Sequence, residues 1–260
     1  MNRSIYSENY FLHGKDGVIK SAREIVPLIL NLAEIKSVVD VGCGPGYWLS
    51  IFQEYGINDI LGIDGPYLDK SGLVISEDKF KPFDLKQAVR INNKFDLVIS
   101  LEVAECLPAE YAEIYIESLT SLGPLILFSA PIPFQGGELP LNMQWPDYWA
   151  EIFAKQGYAV IDCLRKLIWN NRNINFYYRQ NILLFAEKEY ISQNLALERE
   201  YQNTNINMLS LVHPEKYLMV ADLKNFPSFK SVLLALPFLF WKSVKGRICN
   251  YLKKHNGTIS

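Results

Sequence analysis

Ser37-Val38-Val39-Asp40-Val41-Gly42-Cys43-Gly44-Pro45-Gly46 is the stretch that decides the fold. Its first five residues are mostly β-branched, short and apolar, which is the pattern of a strand buried on both faces. Glycines then recur at every second position. Without a Cβ they let the backbone approach a ligand closely. A helical stretch from Tyr47 to Tyr55 starts just beyond, and its first amide groups point into the same space. A dinucleotide site needs G-x-G-x-x-G to cradle a pyrophosphate, and the spacing Gly42, Gly44, Gly46 does not match it. Asp40, two residues before the first glycine, would repel a diphosphate. The same acid would attract a sulfonium or an ammonium group.

Outward from this loop, strand-like and helix-like stretches alternate. Ile19, Ala22, Ile25, Val26, Ile29 and Leu30 recur at helical spacing within Ile19 to Leu32. The stretches Asp59–Asp64, Phe95–Ser100, Leu125–Ala130, Ala159–Leu164 and Asn181–Ala186 read as further strands. Helices are expected near Ala109–Ser121, Trp145–Gln156 and Tyr190–Tyr201. Such alternation implies an α/β fold with a mostly parallel sheet covered on both faces. In an open parallel sheet, ligands bind at the carboxyl ends of the strands. The pattern changes after Glu187, so residues 1–188 are expected to form the ligand-binding domain. Residues 189–260 are expected to form a helical and basic C-terminal extension.

Hydrophobic residues make up 49% of the 260 and charged ones 21%, enough for a substantial core and too apolar for disorder throughout. From Leu223 to Ser260 there are seven basic residues and no acidic one, leaving 19 basic against 28 acidic before them. An acidic body argues against a nucleic-acid groove, and a basic tail suits an anionic surface. Cys43, Cys106, Cys163 and Cys249 form no C-x-x-C pair, so neither a zinc site nor a disulfide framework is expected, and a reducing cytoplasmic setting is the simpler reading. The longest apolar run, Val232 to Trp241, is about half of the ~20 residues a spanning helix needs, and Pro237 interrupts it. Two readings of 231–254 stay open: peripheral contact with anionic lipid, or a helix packed on the protein.

The loop D-x-G-x-G-x-G resembles motif I of class I S-adenosylmethionine-dependent methyltransferases. The resemblance implies a Rossmann-like, doubly wound, mostly parallel seven-stranded sheet with helices on both faces, and S-adenosylmethionine as cofactor. It implies that Asp40 binds the methionine amino group, while Gly42, Cys43, Gly44 and Gly46 line the methionine and ribose. By the same resemblance Asp64 accepts from the ribose hydroxyls, Asp84 takes the adenine amino group, and Leu85 offers a backbone amide. Ser100 and Leu101 flank the methionine end. Beyond these motifs, Ser100–Pro108, Phe128–Trp149, Asp162–Arg165 and Trp169-Asn170-Asn171 resemble a methyltransferase group found beside glycosyltransferases in bacterial polysaccharide clusters. That group commonly has histidines where Cys106 and Pro140 stand here.

Methyl transfer is an in-line displacement on an activated sulfonium, so the protein mainly aligns nucleophile, methyl and sulfur. A hydroxyl acceptor also benefits from a base. Glu102 and Glu105 are the best-placed carboxylates, and His13 lies on an N-terminal segment expected to fold over the site. Asn142, Gln144 and Trp145 suit a sugar, through amide hydrogen bonds and stacking. The function expected is O-methylation of a sugar or glycan intermediate. The alternative is a catalytically degenerate cofactor-binding module that acts as a partner or sensor.

Overall fold

A computed structural model describes residues 8–136, 141–221 and Leu236. The chain divides into two compact units, Met1–His213 and Pro214–Ser260. In the first, seven strands form one sheet: β1 (Ser37–Val41), β2 (Asp59–Asp64), β3 (Phe80–Pro82), β4 (Leu97–Leu101), β5 (Leu125–Ser129), β6 (Tyr158–Ile161) and β7 (Leu183–Glu187). Their spatial order is β3-β2-β1-β4-β5-β7-β6. Only β7 runs antiparallel, paired with β5 through Phe128 opposite Leu183 and with β6 through Ile161 opposite Leu184. The start of β7 therefore lies at the carboxyl edge of the other strands.

Each face of the sheet carries its own core. Helix α1 (Glu8–Leu30) presents Ala22, Ile25, Val26 and Ile29 at i, i+3, i+4, i+7 spacing, and all four are fully buried. They share one core with α2 (Tyr47–Glu54), through Leu49, Ile51 and Phe52. The opposite core is built by α3 (Ala112–Leu122) and α4 (Pro146–Lys155), where Phe153 stacks on Phe185 with ring centroids 3.9 Å apart. The remaining helices of this unit are α5 (Leu164–Ile168), α6 (Phe176–Asn181), α7 (Lys188–Gln193) and α8 (Leu195–Gln202).

Several element bounds differ from the sequence expectation. α1 begins at Glu8, so the backbone of His13 is helical and belongs to the long helix rather than to an irregular arm. The strand expected through Leu164 stops at Ile161, because Cys163 turns the chain into α5. Asn181, expected to open a strand, is the last residue of α6. The compact unit also extends past residue 188, because Ile191 and Leu197 are buried in the first core. The second unit is described only in α9 (Pro214–Ala221) and at Leu236, and the segment 231–254 otherwise lies outside the described residues. No helix among the described residues is long and apolar enough to cross a membrane.

Arg165 fastens the end of the first unit. It is 1% exposed, pairs with Asp162 at 2.6 Å and donates from Nη1 to the carbonyls of Gln180 (3.1 Å) and Leu209 (2.7 Å). Removing the carboxylate would strand a buried guanidinium. Asp162→Ala should therefore lower unfolding stability by about 3 kcal/mol in urea titrations, whereas replacing Glu113, whose ion pair with Lys155 lies on the surface, should leave it nearly unchanged.

Candidate active site

The chain leaves β1 toward β2 on one side and returns to β4 on the other, which opens a crevice at the carboxyl ends of β1 and β4. The glycine loop lines it. Gly42, Gly44 and Gly46 all have positive φ (88°, 50° and 91°), conformations that L side chains rarely adopt. Gly42 is doubly constrained, because a Cβ there would lie 2.4 Å from the Val103 side chain. The loop is tied to β2 by the Gly42 and Cys43 amides, which donate to the Ile63 carbonyl at 2.7 and 3.2 Å. Tyr115, from α3, braces the same edge. Its hydroxyl donates to the Val41 carbonyl (3.2 Å) and lies 2.7 Å from Ser100 Oγ, joining β1 to β4.

Asp40 is 3% exposed, and among the described residues no N–H or O–H donates to its carboxylate. Burial, and then the charge of Asp64, push its pKa well above the usual carboxylate range. A buried carboxylate without a donor fits a cationic ligand group, so the residues present suit the ammonium and sulfonium of S-adenosylmethionine. Asp64 is engaged differently. Its Oδ2 accepts from the Gly44 amide (2.7 Å), and its Oδ1 accepts from the Gly65 amide (2.6 Å) and the Tyr67 hydroxyl (2.8 Å). Three of its roughly four lone-pair positions are taken. One ribose hydroxyl fits directly, and a second requires Tyr67 to turn away.

Other candidates are placed less simply. Cys43 is buried against Gly62, where an added Cβ would meet its Sγ at 2.8 Å, so the thiol belongs to the wall behind the loop. Asp84 is exposed, and its carboxylate closes its own turn by accepting from the Lys86 amide at 3.1 Å. Leu85 is buried in the core beside α3. The Ser100 hydroxyl is taken by Tyr115, which makes Ser100 a brace between strands, and Leu101 ends β4 as a buried residue.

The structure brings two acids together immediately after β4. Glu102 is half-buried, in a left-handed conformation rare outside glycine (φ 57°), with its amide on the Ser129 carbonyl at 2.9 Å. Its Oε1 accepts from Asn181 Nδ2 at 3.2 Å. Burial outweighs the lowering effect of that hydrogen bond and, after it, of the neighbouring Ser129 hydroxyl, and moves its pKa up to about 7. Glu105 is buried, and its Oε2 has no partner. Burial first, and then the charge of Glu102, push its pKa well up. The Glu105 carbonyl accepts from the amides of Leu141 (2.8 Å) and Asn142 (3.0 Å), which places the expected substrate segment against this acid. Asn142 is buried with a partnerless Nδ2, while its Oδ1 accepts from Gln144 Nε2 at 2.9 Å. Trp145 is 41% exposed just before α4.

Sequence reasoning missed the amides of Gln135, Gln180 and Asn181, which join Glu102 to the end of the unit. Among the described residues no cluster of three His, Cys, Asp or Glu side chains is arranged to hold a metal ion.

A family profile described as "Methyltransferase domain" matches residues 18–150, more than half of the chain. The chain belongs to this family. It is a class I, S-adenosylmethionine-dependent methyltransferase. No curated protein sequence matches it. Among solved structures, DesVI from Streptomyces venezuelae superposes with a TM-score of 0.52 at 15% identity, over 70% of this chain and 97% of that one. Magnesium protoporphyrin IX methyltransferase (ChlM) from Synechocystis PCC 6803, solved with bound SAM, gives a TM-score of 0.48 at 20% identity over 72% and 89%. An S-adenosylmethionine-dependent methyltransferase from Clostridium acetobutylicum ATCC 824 gives 0.49 at 13% over 69% and 98%. The likeness to DesVI is one of fold, and that fold is the doubly wound α/β sheet described above.

The buried acids make this methyltransferase sensitive to pH in a defined direction. A folded-state pKa of about 7 for Glu102 lies above that of an unfolded carboxyl, so folding takes up a proton in between. The stabilising effect is complete below the unfolded value and is lost as pH rises through about 7. Glu102→Gln should therefore gain in melting temperature relative to wild type between about pH 5 and about pH 8 in thermal scans. Parallel curves for the two proteins would contradict this.

Proposed function

We propose that this methyltransferase transfers a methyl group to a hydroxyl of a sugar or glycan intermediate, with Glu102 as general base. The observation that carries this reading is a base poised near neutrality, Glu102, beside Glu105 and the segment bearing Asn142, Gln144 and Trp145. A base with a pKa near the working pH suits removal of a hydroxyl proton as the oxygen attacks.

Asp40, Asp64 and the glycine loop would hold the cofactor. Bound S-adenosylmethionine supplies a methyl group already activated by its sulfonium. Trp145 would offer its ring to a sugar face, and the Asn142 amide would donate to a second acceptor oxygen. The acceptor proton passes to Glu102 as the new O–C bond forms and the C–S bond breaks. The products are the methyl ether and S-adenosylhomocysteine.

Cys106 favours one second reading. It stands where the group resembled in sequence commonly has a histidine, and without a base of that kind the chain would bind cofactor but not turn over. Turnover of labelled S-adenosylmethionine against a panel of sugar and nucleotide-sugar acceptors separates the two. The first reading expects a methylated sugar, with kcat reduced roughly 10²–10⁴-fold in Glu102→Gln and S-adenosylhomocysteine affinity unchanged. Binding without turnover in wild type would support the second.

A further inference from the structure

Asn181, Gln180 and Gln135 converge beneath Glu102, and their hydrogen bonds form a chain with a definite direction. The backbone N–H of His213 donates to Gln180 Oε1 at 2.8 Å. A backbone N–H cannot exchange roles as a side-chain amide can, so this bond sets which end of the Gln180 amide is oxygen. Gln180 Nε2 must then donate, and it reaches Gln135 Oε1 (2.8 Å) and Asn181 Oδ1 (3.0 Å). With its oxygen committed to Gln180, Asn181 turns its Nδ2 outward. The two N–H groups of that nitrogen reach Gln135 Oε1 (3.0 Å) and Glu102 Oε1 (3.2 Å).

Each anchor is rigid. Gln180 and Asn181 are buried, and the Gln180 carbonyl is held by Arg165 at 3.1 Å. Gln135 closes a tight turn, its amide donating to the Ile132 carbonyl at 3.1 Å with Phe134 at φ 64°. The chain thus ends in a donor aimed at one carboxylate of a neighbouring pair. Glu105 Oε2, by contrast, is buried without a partner.

We propose that Asn181, locked in one amide orientation by Gln180 and the His213 backbone, is a positioning residue that makes Glu102 the ionised base and leaves the shared proton on Glu105. An N–H donor stabilises the charged form of a carboxylate, and an uncompensated apolar burial stabilises the neutral form. A fixed donor at one member of the pair therefore decides which member holds the proton. The two glutamates act on each other, and the titratable groups facing them are the Tyr178 phenol of α6, which feels Glu102 and Asp40, and the Tyr115 phenol of α3, which feels Glu105, Asp40 and Asp64. Arg179 and His213 stand one amide further out, both held on the Trp169 carbonyl.

This assignment rests on Glu102 acting as base, but its test needs no methyl acceptor. The full chain, labelled with ¹³C at the glutamate carboxyl carbon, is titrated by NMR, with Glu102→Gln and Glu105→Gln identifying the two signals. Glu102 should ionise at lower pH than Glu105. Asn181→Leu should raise the Glu102 midpoint by about one pH unit. Gln180→Met, which does not touch Glu102 but frees the Asn181 amide to turn, should raise it in the same direction. Calorimetry with S-adenosylhomocysteine verifies that each variant is folded. If a variant does not fold, the wild-type order of the two signals still decides. Glu105 ionising first, or a Glu102 midpoint unmoved in a folded Asn181→Leu or Gln180→Met variant, would overturn the proposal. Absence of methyl transfer alongside the expected titration would overturn only the sugar-methylation reading.

Discussion

Four carboxyl groups, Asp40, Asp64, Glu102 and Glu105, are gathered at the carboxyl edge of one sheet, and none takes part in any ion pair among the described residues. Each answers this constraint in its own way. Asp64 is satisfied by two amides and a phenol, and Glu102 by an asparagine amide. Glu105 keeps an oxygen without a partner, and Asp40 has no donor at all among the described residues. Burial with so little compensation opposes folding, and it accounts for the upward direction of all four pKa values. A cationic cofactor group would offset this cost at Asp40, and a proton shared between the glutamates would offset it there.

The fold tolerates this arrangement because the edge is braced independently of the acids. Tyr115 joins β1 to β4, the Ile63 carbonyl holds the glycine loop, and Arg165 secures the start of β7 and the segment at Leu209. Side chains that bear on the chemistry are thus carried on rigid elements, as preorganised electrostatics requires. The left-handed φ of Glu102 fits the same picture, since a strained backbone persists only where its surroundings over-determine it.

Much of this was legible in the sequence, for identifiable reasons. Short β-branched runs, the spacing of the glycines and the acids ending the first two strands are local signals, and they located β1, β2, β4 and β5 with the crevice between them. Glu102 and Glu105 followed because they lie directly after β4. The amides of Gln180 and Asn181 were not legible. Asn181 meets Glu102 across 79 residues of sequence, with Gln180 behind it, and only because β7 runs antiparallel and brings its start to the ligand edge. No local pattern encodes that reversal. The bonds that Ser100 makes to Tyr115 and Asp84 makes to the Lys86 amide were likewise not legible, because a polar residue near a strand end reads alike whether it faces a ligand, braces a tyrosine or closes its own turn.

If Asp40 seats the ammonium of the cofactor, binding should draw on its carboxylate, whose charged form the cation would stabilise against the burial that raises its pKa. Calorimetric titration of S-adenosylhomocysteine into wild type and Asp40→Asn tests this most directly, because the substitution keeps shape and removes only the charge. Binding should be roughly 10–100-fold weaker in Asp40→Asn, the effect of losing one charge-assisted hydrogen bond, with the fold intact by circular dichroism. Equal affinity in the two folded proteins would contradict it.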